Sequence, residues 1–317
     1  MQIVLPGALP PAAPIAAELA KRLPAAAPTL YALMRHGVGR QQPFDPREHG
    51  CTPYEGWQLE QAGFHPEPGQ PIGTGLGPLR AGDEAAGQDR VWIADLAHVA
   101  LGTDRASLVP AEALDLEPAE GMALYEAVRP LFADTPFDAT ALQPHRWRVR
   151  LPAGLTPPSA SPAAVMGHPL QAWWTQDAAT RPWRRLLNEI QMVWYEHPVN
   201  TARSARGQLP VNAVWLYGGA SPWQRKPAIT PGPQVFEDLH APFLAEDWAG
   251  WLQAIERLDG AALRPYADAA GRPSRPLGLT LLGRDRRVTL TLQPRGPLLR
   301  WLPIRENAWR AWWSPPV

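Results

Sequence analysis

The spacing of apolar and polar positions changes several times along this chain, and each change predicts an element. "QIVL" is a short apolar run stopped by Pro6-Gly7, the pattern of a brief buried strand. "APTLYALMRHG" carries apolar residues at helical spacing and ends on Gly37, a helix stop. Residues 38 to 53 are polar and Pro-rich and read as a surface loop. "PYEGWQLEQAGF" predicts a short helix with Pro at its start, while residues 66 to 90 show no periodicity. "RVWIADLAHVAL" predicts a strand, with Asp95 and His98 on opposite faces. "EPAEGMALYEAVRPLFAD" is acidic early and apolar at helical spacing, hence a helix. "PHRWRVRL" alternates as a half-buried strand does, and "PAGLTPPSASPAAVMGHP" has the composition of a linker.

The clearest helix is "ATRPWRRLLNEIQMVWYEH", where Trp183, Leu186, Leu187, Ile190, Val193 and Trp194 line one face. Pro198 breaks it, and "VNTARSARG" gives a short continuation closed by Gly207. "VNAVWLYGG" follows as a buried strand, "EDWAGWLQAIERLDG" as a helix, and "LGLTLLGRDRRVTLTL" as a hairpin turning at "GRDR". "ENAWRAWW" predicts a short helix near the end. No internal repeat is visible. Strands interleaved with helices predict a mixed α/β chain.

Composition adds little to this pattern and excludes some classes. The chain has 317 residues, enough for one large domain or two ordinary ones, and a formal net charge of zero. Nucleic acid and membrane surfaces are therefore not expected partners. No apolar run approaches the roughly 18 residues of a membrane span, and the N-terminus lacks the basic start of a signal peptide. Cys51 is the only cysteine, which excludes an internal disulfide and fits a reducing cytoplasm. The 39 Pro, about twice the usual roughly 5%, predict many loops, and the 15 Trp predict bulky core residues.

Candidate chemistry is concentrated in "YEHPVNTARSARGQLPVNAVWLYGGA", residues 195 to 220. The stretch "HPVNTARSARGQLPVNAVWLYGG" resembles a motif of the archaeal-type, bisphosphoglycerate-independent phosphoglycerate mutases: His-Pro-Val-Asn, then Arg, Gly and an Asn before a Gly-ended strand. "PTLYALMRHG", "DRVWIADLAHVAL", "HRWRVRL", "PPSASPAAVMGHPL" and "WLQAIERLDGAALRPYADA" resemble other segments of that family, in the same order. With its Leu-Asn-Glu helix the block is also similar to the RpfE-like regulatory proteins of bacteria. The resemblance implies an alkaline-phosphatase-like α/β core, residues 1–75 and 165–317, with a smaller α+β domain inserted at 76–164.

The family's metal-binding positions are not matched. Its Asp-Gly after the first strand is Pro6-Gly7 here, and its late Asp-His falls on "GRDRR", Gly283 to Arg287. No Asp-Ser nucleophile segment stands between 66 and 90, and the closest acid–His spacing is Asp95 to His98 on opposite strand faces. Two divalent ions need a dense set of oxygen and imidazole donors, so the two-metal site reads as lost. No cofactor is expected; Mn²⁺ or Mg²⁺ would be needed only by an active enzyme with a rearranged site.

What the resemblance leaves is a substrate grip. Arg146, Arg203 and Arg206 are candidates for holding a phosphate or carboxylate. Asn200 and Asn212 could fix hydroxyls, and His197 could donate to an oxyanion or move a proton if the protein is active. Each has a structural alternative. His197 could cap the preceding helix, Asn200 could cap "TARSARG", and Arg203 and Arg206 could be solvated charges on one helix face. Asn188 and Glu189, placed among apolar neighbours, predict a polar network that Asn212 or His197 could complete. Gly218-Gly219 gives a weak phosphate loop, "RHG" at 35 to 37 ends a helix and is no phosphatase triplet, and Cys51 lacks the neighbours of a nucleophile. The first reading is a non-catalytic binder of a small anionic metabolite, possible partners including an unknown protein. The alternatives are an active mutase or phosphatase, and an interaction protein without a small ligand.

Overall fold

The computed structural model describes residues 1–82, 87–102, 106–173, 177–226, 232–294 and 307–315. In chain order the elements begin with β1 (Gln2–Pro6), α1 (Ala13–Ala26), α2 (Pro28–His36), β2 (Val38–Pro43), α3 (Pro46–His49), α4 (Pro53–Gln61) and α5 (Leu76–Ala81). Next come β3 (Val91–Leu101), β4 (Ala106–Pro110), α6 (Pro118–Val128), β5 (Asp138–Gln143), β6 (Arg146–Arg150) and α7 (Pro162–Val165). Then follow α8 (Arg181–Tyr195), α9 (Pro198–Ala205), β7 (Ala213–Ala220), β8 (Gln234–Val235), α10 (His240–Leu244) and α11 (Trp248–Leu258). The last are β9 (Leu277–Leu282), β10 (Arg286–Leu292) and α12 (Arg310–Trp313). The chain is mixed α/β, as the interleaved pattern predicts.

It divides into two compact units, Met1–Asp45 with Ile229–Val317, and Pro46–Ala228. One is discontinuous and the other continuous, but the borders differ from the expected 76–164 insertion. The continuous unit is wider because α4, α5, α8, α9 and β7 pack on or around the sheet built on β3.

In the discontinuous unit the sheet order is β2-β10-β9-β1-β8. β1 runs parallel to β8 and β9, while β10 is antiparallel to both β9 and β2. The central strands supply the apolar core: Ile3, Leu5, Leu279, Leu281, Val288 and Leu290 are fully buried, with α1, α2 and α11 adding Leu19, Leu33, Trp251 and Ile255. Residues 38–43, expected to lie in a loop, form β2 instead. That strand is polar because it lies at the sheet edge and is largely exposed, so no apolar pattern marks it. Gly37 ends α2 with an extended backbone, φ −79°, so no left-handed cap is used there.

In the continuous unit, β3 is the organising strand. Its first half lies between β6 and β7, and its second half pairs with β4, all antiparallel. The core beneath is aromatic: Trp147 meets Tyr125, Phe132 and Trp194 edge to face at 5.3 to 6.5 Å. α8 buries Trp183, Leu186, Ile190 and Trp194, the predicted face, whereas Val193 is exposed and Leu187 half-buried. The 152–169 segment is more than a linker. Ala160 and Ser161 are buried, the Ala160 carbonyl accepts from Trp215 Nε1 at 2.8 Å, and α7 follows with Ser161 as its cap.

Candidate functional site

The block from His197 to Gly219 builds α9, a short connection and β7, and its polar side chains are engaged inside the fold. Asn200 lies within α9 and is buried. Its Nδ2 donates to the carbonyls of Trp194 and Val211, both at 2.8 Å, and its Oδ1 accepts from Val211 N–H at 2.8 Å. One carboxamide thus joins the end of α8 to the connection that leads into β7. The N-cap of α9 is His197 instead, whose Nδ1 accepts from Val199 N–H at 3.3 Å. It caps the following helix, not the preceding one. Partial burial holds the His197 pKa below its ordinary value.

Arg203 is fully buried. Its Nε donates to Leu209 O at 2.9 Å, Nη1 to Glu120 at 2.6 Å and Asp115 O at 3.4 Å, and Nη2 to Leu114 O. Arg206, exposed, donates to the other oxygen of Glu120. Burial would raise the Glu120 pKa, but the two guanidinium groups outweigh it and hold the carboxyl below its usual range. Neither Arg is thus presented as a free anion grip. Asn212 takes a comparable role at the sheet: its Oδ1 accepts from Val99 N–H at 2.7 Å and its Nδ2 donates to Val99 O at 3.1 Å. The side chain continues the β3–β7 ladder one step beyond the strand.

Arg146 is engaged more deeply still. It forms a two-pronged pair with Asp95, at 2.7 and 2.8 Å, and Tyr217 Oη donates to the same carboxylate at 2.8 Å. All three are buried. Burial alone would lower the Arg146 pKa; the Asp95 bonds raise it instead. His98 is on the other face, as expected, and its Nδ1 bonds the Pro210 carbonyl at 2.8 Å. Beside Tyr217, Arg80 reaches Glu55 at 2.6 Å, and Glu55 also receives Ser161 and Thr52 hydroxyls. Cys51 is buried, and burial followed by the Glu55 charge pushes its thiol pKa up, which fits an inert residue.

Asn188 and Glu189 correct a sequence expectation. Asn188 is exposed, and Glu189 pairs with Arg185 one turn earlier at 3.1 Å, so they form no buried network. The Asn sits on the α8 flank rather than its core face. Gly218-Gly219 is not a phosphate loop. Both have φ +99°; the Gly218 N–H donates to Ser159 Oγ at 2.7 Å, and a Cβ on Gly219 would lie 2.6 Å from the Trp92 ring. Close packing, not an anion, requires these glycines.

The positions that would match metal ligands are also filled from within. Pro6 and Leu282 are paired neighbours at the ends of the parallel strands β1 and β9. Ligands commonly bind beyond such carboxyl ends. Here Arg286, fully buried, occupies that end: its Nη2 donates to Pro10 O at 3.0 Å and Trp313 O at 2.7 Å, its Nε to Trp312 O at 3.3 Å, and its Nη1 to Asp285 at 2.6 Å. The Gly7 carbonyl accepts from Trp251 Nε1 at 2.8 Å. Among the described residues no three His, Cys, Asp or Glu are grouped so as to hold a metal. The donor set does not fit a two-metal centre.

Apart from Gly218 and Gly219, residues that sequence reasoning did not single out line a cavity of about 380 Å³ in the continuous unit. Trp92, Thr74, Gly218 and Gly219 form its buried wall, and Arg90, Thr156, Ser159 and Glu67 its polar lining. No hydrogen bond or ion pair engages Arg90 among the described residues. Ser159 Oγ accepts from Gly218, which leaves its own proton to donate. A single Arg just before a strand and a Ser in a Pro-rich stretch give no sequence signal.

No family profile and no curated protein matches the chain. Among solved structures it is similar to the cofactor-independent phosphoglycerate mutase from Thermoplasma acidophilum DSM 1728, with 16% identity and a TM-score of 0.34. That overlay covers 92% of this chain and 89% of the other. It is also similar to the PH0037 protein from Pyrococcus horikoshii, with 14% identity and a TM-score of 0.40, covering 92% of this chain and 86% of that one.

Proposed function

We propose that this chain is a non-catalytic, phosphoglycerate-mutase-like protein, of the RpfE-like regulatory kind, that works by binding a small phosphorylated or carboxylated metabolite. The motif resemblance around His197 to Gly219 motivates the class. The observation that carries the binding reading is the Arg90 cavity, where a guanidinium and hydroxyl donors stand unengaged. Guanidinium pairs with phosphate or carboxylate through parallel N–H bonds, and Ser159 and Thr156 can add hydroxyl donors. Glu67 on the same lining repels an anionic group held close to it, so the bound anion is placed against Arg90.

The absence of a fitting donor set at Pro6-Gly7 and Gly283–Arg287 supports the non-catalytic half of the reading. His197 is an N-cap whose acceptor nitrogen is in use, so no proton-transfer role is assigned to it.

Thermal unfolding with 3-phosphoglycerate, inorganic phosphate, Mn²⁺, Mg²⁺ and Zn²⁺ tests this. A ligand that binds only the folded state raises the midpoint. The expected result is a rise with 3-phosphoglycerate that needs no metal and is lost in Arg90→Gln. A metal-dependent rise accompanied by mutase or phosphatase turnover would establish the enzyme instead. No rise with any anion would favour the interaction protein without a small ligand.

A further inference from the structure

We infer that a second cavity in the continuous unit, between the flank of α8 and the ends of β3 and β7, binds an uncharged small molecule with an apolar body and an amide-like hydrogen-bonding edge. Its volume is about 400 Å³, within the range of small-molecule sites. The walls are Val99, Leu101, Leu170, Leu187, Val214 and Trp215. Into the same space face four carboxamides, Gln171, Asn188, Gln191 and Asn212, and among the described residues no ionisable side chain lines it.

The carboxamides are not equivalent. Asn212 is locked by its two bonds to Val99, which fixes that wall. Gln171, Asn188 and Gln191 have no hydrogen-bond partner among the described residues. Each carboxamide offers both a donor and an acceptor, so together they suit a neutral group that does the same. An ionised ligand would lose water against Leu, Val and Trp without gaining a counter-charge, which is costly. A neutral amide exchanges water bonds for carboxamide bonds while its apolar part leaves water.

Two further observations agree. Leu101 is 86% exposed at this cavity, a large apolar surface that a bound apolar body would cover. A smaller recess shares Leu187, Val214 and Trp215 with the cavity and adds Trp173 and Trp183. Trp173 Nε1 is buried and lacks an acceptor among the described residues. Arg184 lines that recess, but its Nη1 is held by Asp177 O and Thr180 Oγ1, at 2.7 and 2.6 Å. The site is separate in lining from the Arg90 cavity and differs from it in ligand charge.

Saturation-transfer NMR on the full chain, with acetanilide as the neutral probe and benzoate and benzylammonium as charged counterparts of similar size, tests the inference. Acetanilide is expected to bind saturably, and each charged probe at least about tenfold more weakly, given desolvation without a counter-charge. The double variant Asn188→Leu, Gln191→Leu alters two exposed helix positions, so its unfolding midpoint should stay near that of the parent. It should weaken acetanilide about tenfold, the scale of one lost hydrogen bond. Arg90→Gln should leave acetanilide binding unchanged, which separates this site from the anion cavity. Absence of saturable acetanilide binding, equal binding of benzoate, or undiminished binding by the double variant would each overturn the assignment.

Discussion

Two regions of the continuous unit are rich in polar residues, and they use them in opposite ways. Around α9, Asn200, Arg203 and Asn212 direct their side chains at main-chain groups and at Glu120, so the polarity is absorbed into the fold. In the Arg90 and Asn188 cavities the polar groups are scattered in sequence, and Arg90, Gln171, Asn188 and Gln191 have no hydrogen-bond partner among the described residues. The first region looks like an active site when read as a string. The comparison teaches that ligand capacity lies in donors and acceptors the protein has not already used. Dense polar sequence can equally be the wiring of a helix–strand junction.

The comparison breaks most readily at Arg146 and Asp95. Arg146→Met leaves Asp95 buried without its cation and should cost about 3–5 kcal/mol of unfolding free energy, measured in urea. If instead stability is kept and anion binding is lost, Arg146 belongs with the cavities. Asn200→Ala removes three buried bonds and strands the Val211 N–H; a loss of about 2–3 kcal/mol is expected by the same measurement.

Acidification separates His197 from a catalytic His. Its folded pKa is lowered, so the unfolded state takes the proton first. The contribution of neutral His197 is therefore complete above the unfolded value of about 6.5 and declines as pH falls below it. His197→Asn keeps a capping acceptor and should flatten the pH dependence of the unfolding midpoint in that window. Glu120 acts in a lower window: its depressed pKa adds stability that is present above about 4.3 and is lost as pH falls through the lowered folded value. The smallest effect belongs to Glu189→Ala, where an exposed i,i+4 pair is removed; a change within about 0.5 kcal/mol is expected.

How much of this could be read from sequence varied with the physics of each element. Helix α8 was legible because Trp183, Leu186, Ile190 and Trp194 repeat at helical spacing against one core. β3, β7 and the β9–β10 hairpin were legible as apolar or alternating runs. β2 was not, because an exposed edge strand has no core face to pattern. α1 was missed because its Ala-rich, Pro-flanked sequence, with Pro24 inside the helix, resembles a linker. At the site, sequence identified the polar block but not its partners. Glu120, Asp95 and the Val99 main chain lie 83, 51 and 113 positions from Arg203, Arg146 and Asn212, and only the folded chain brings them together.

Urea unfolding of Arg203→Met tests most directly whether the block builds the fold or serves a ligand. The predicted result is a loss of about 3–5 kcal/mol, since the change leaves the buried carbonyls without their donor and takes from Glu120 one of its two guanidinium partners. Stability within about 0.5 kcal/mol of the parent would contradict it, because a residue that the fold does not need at that depth is being kept for something it binds.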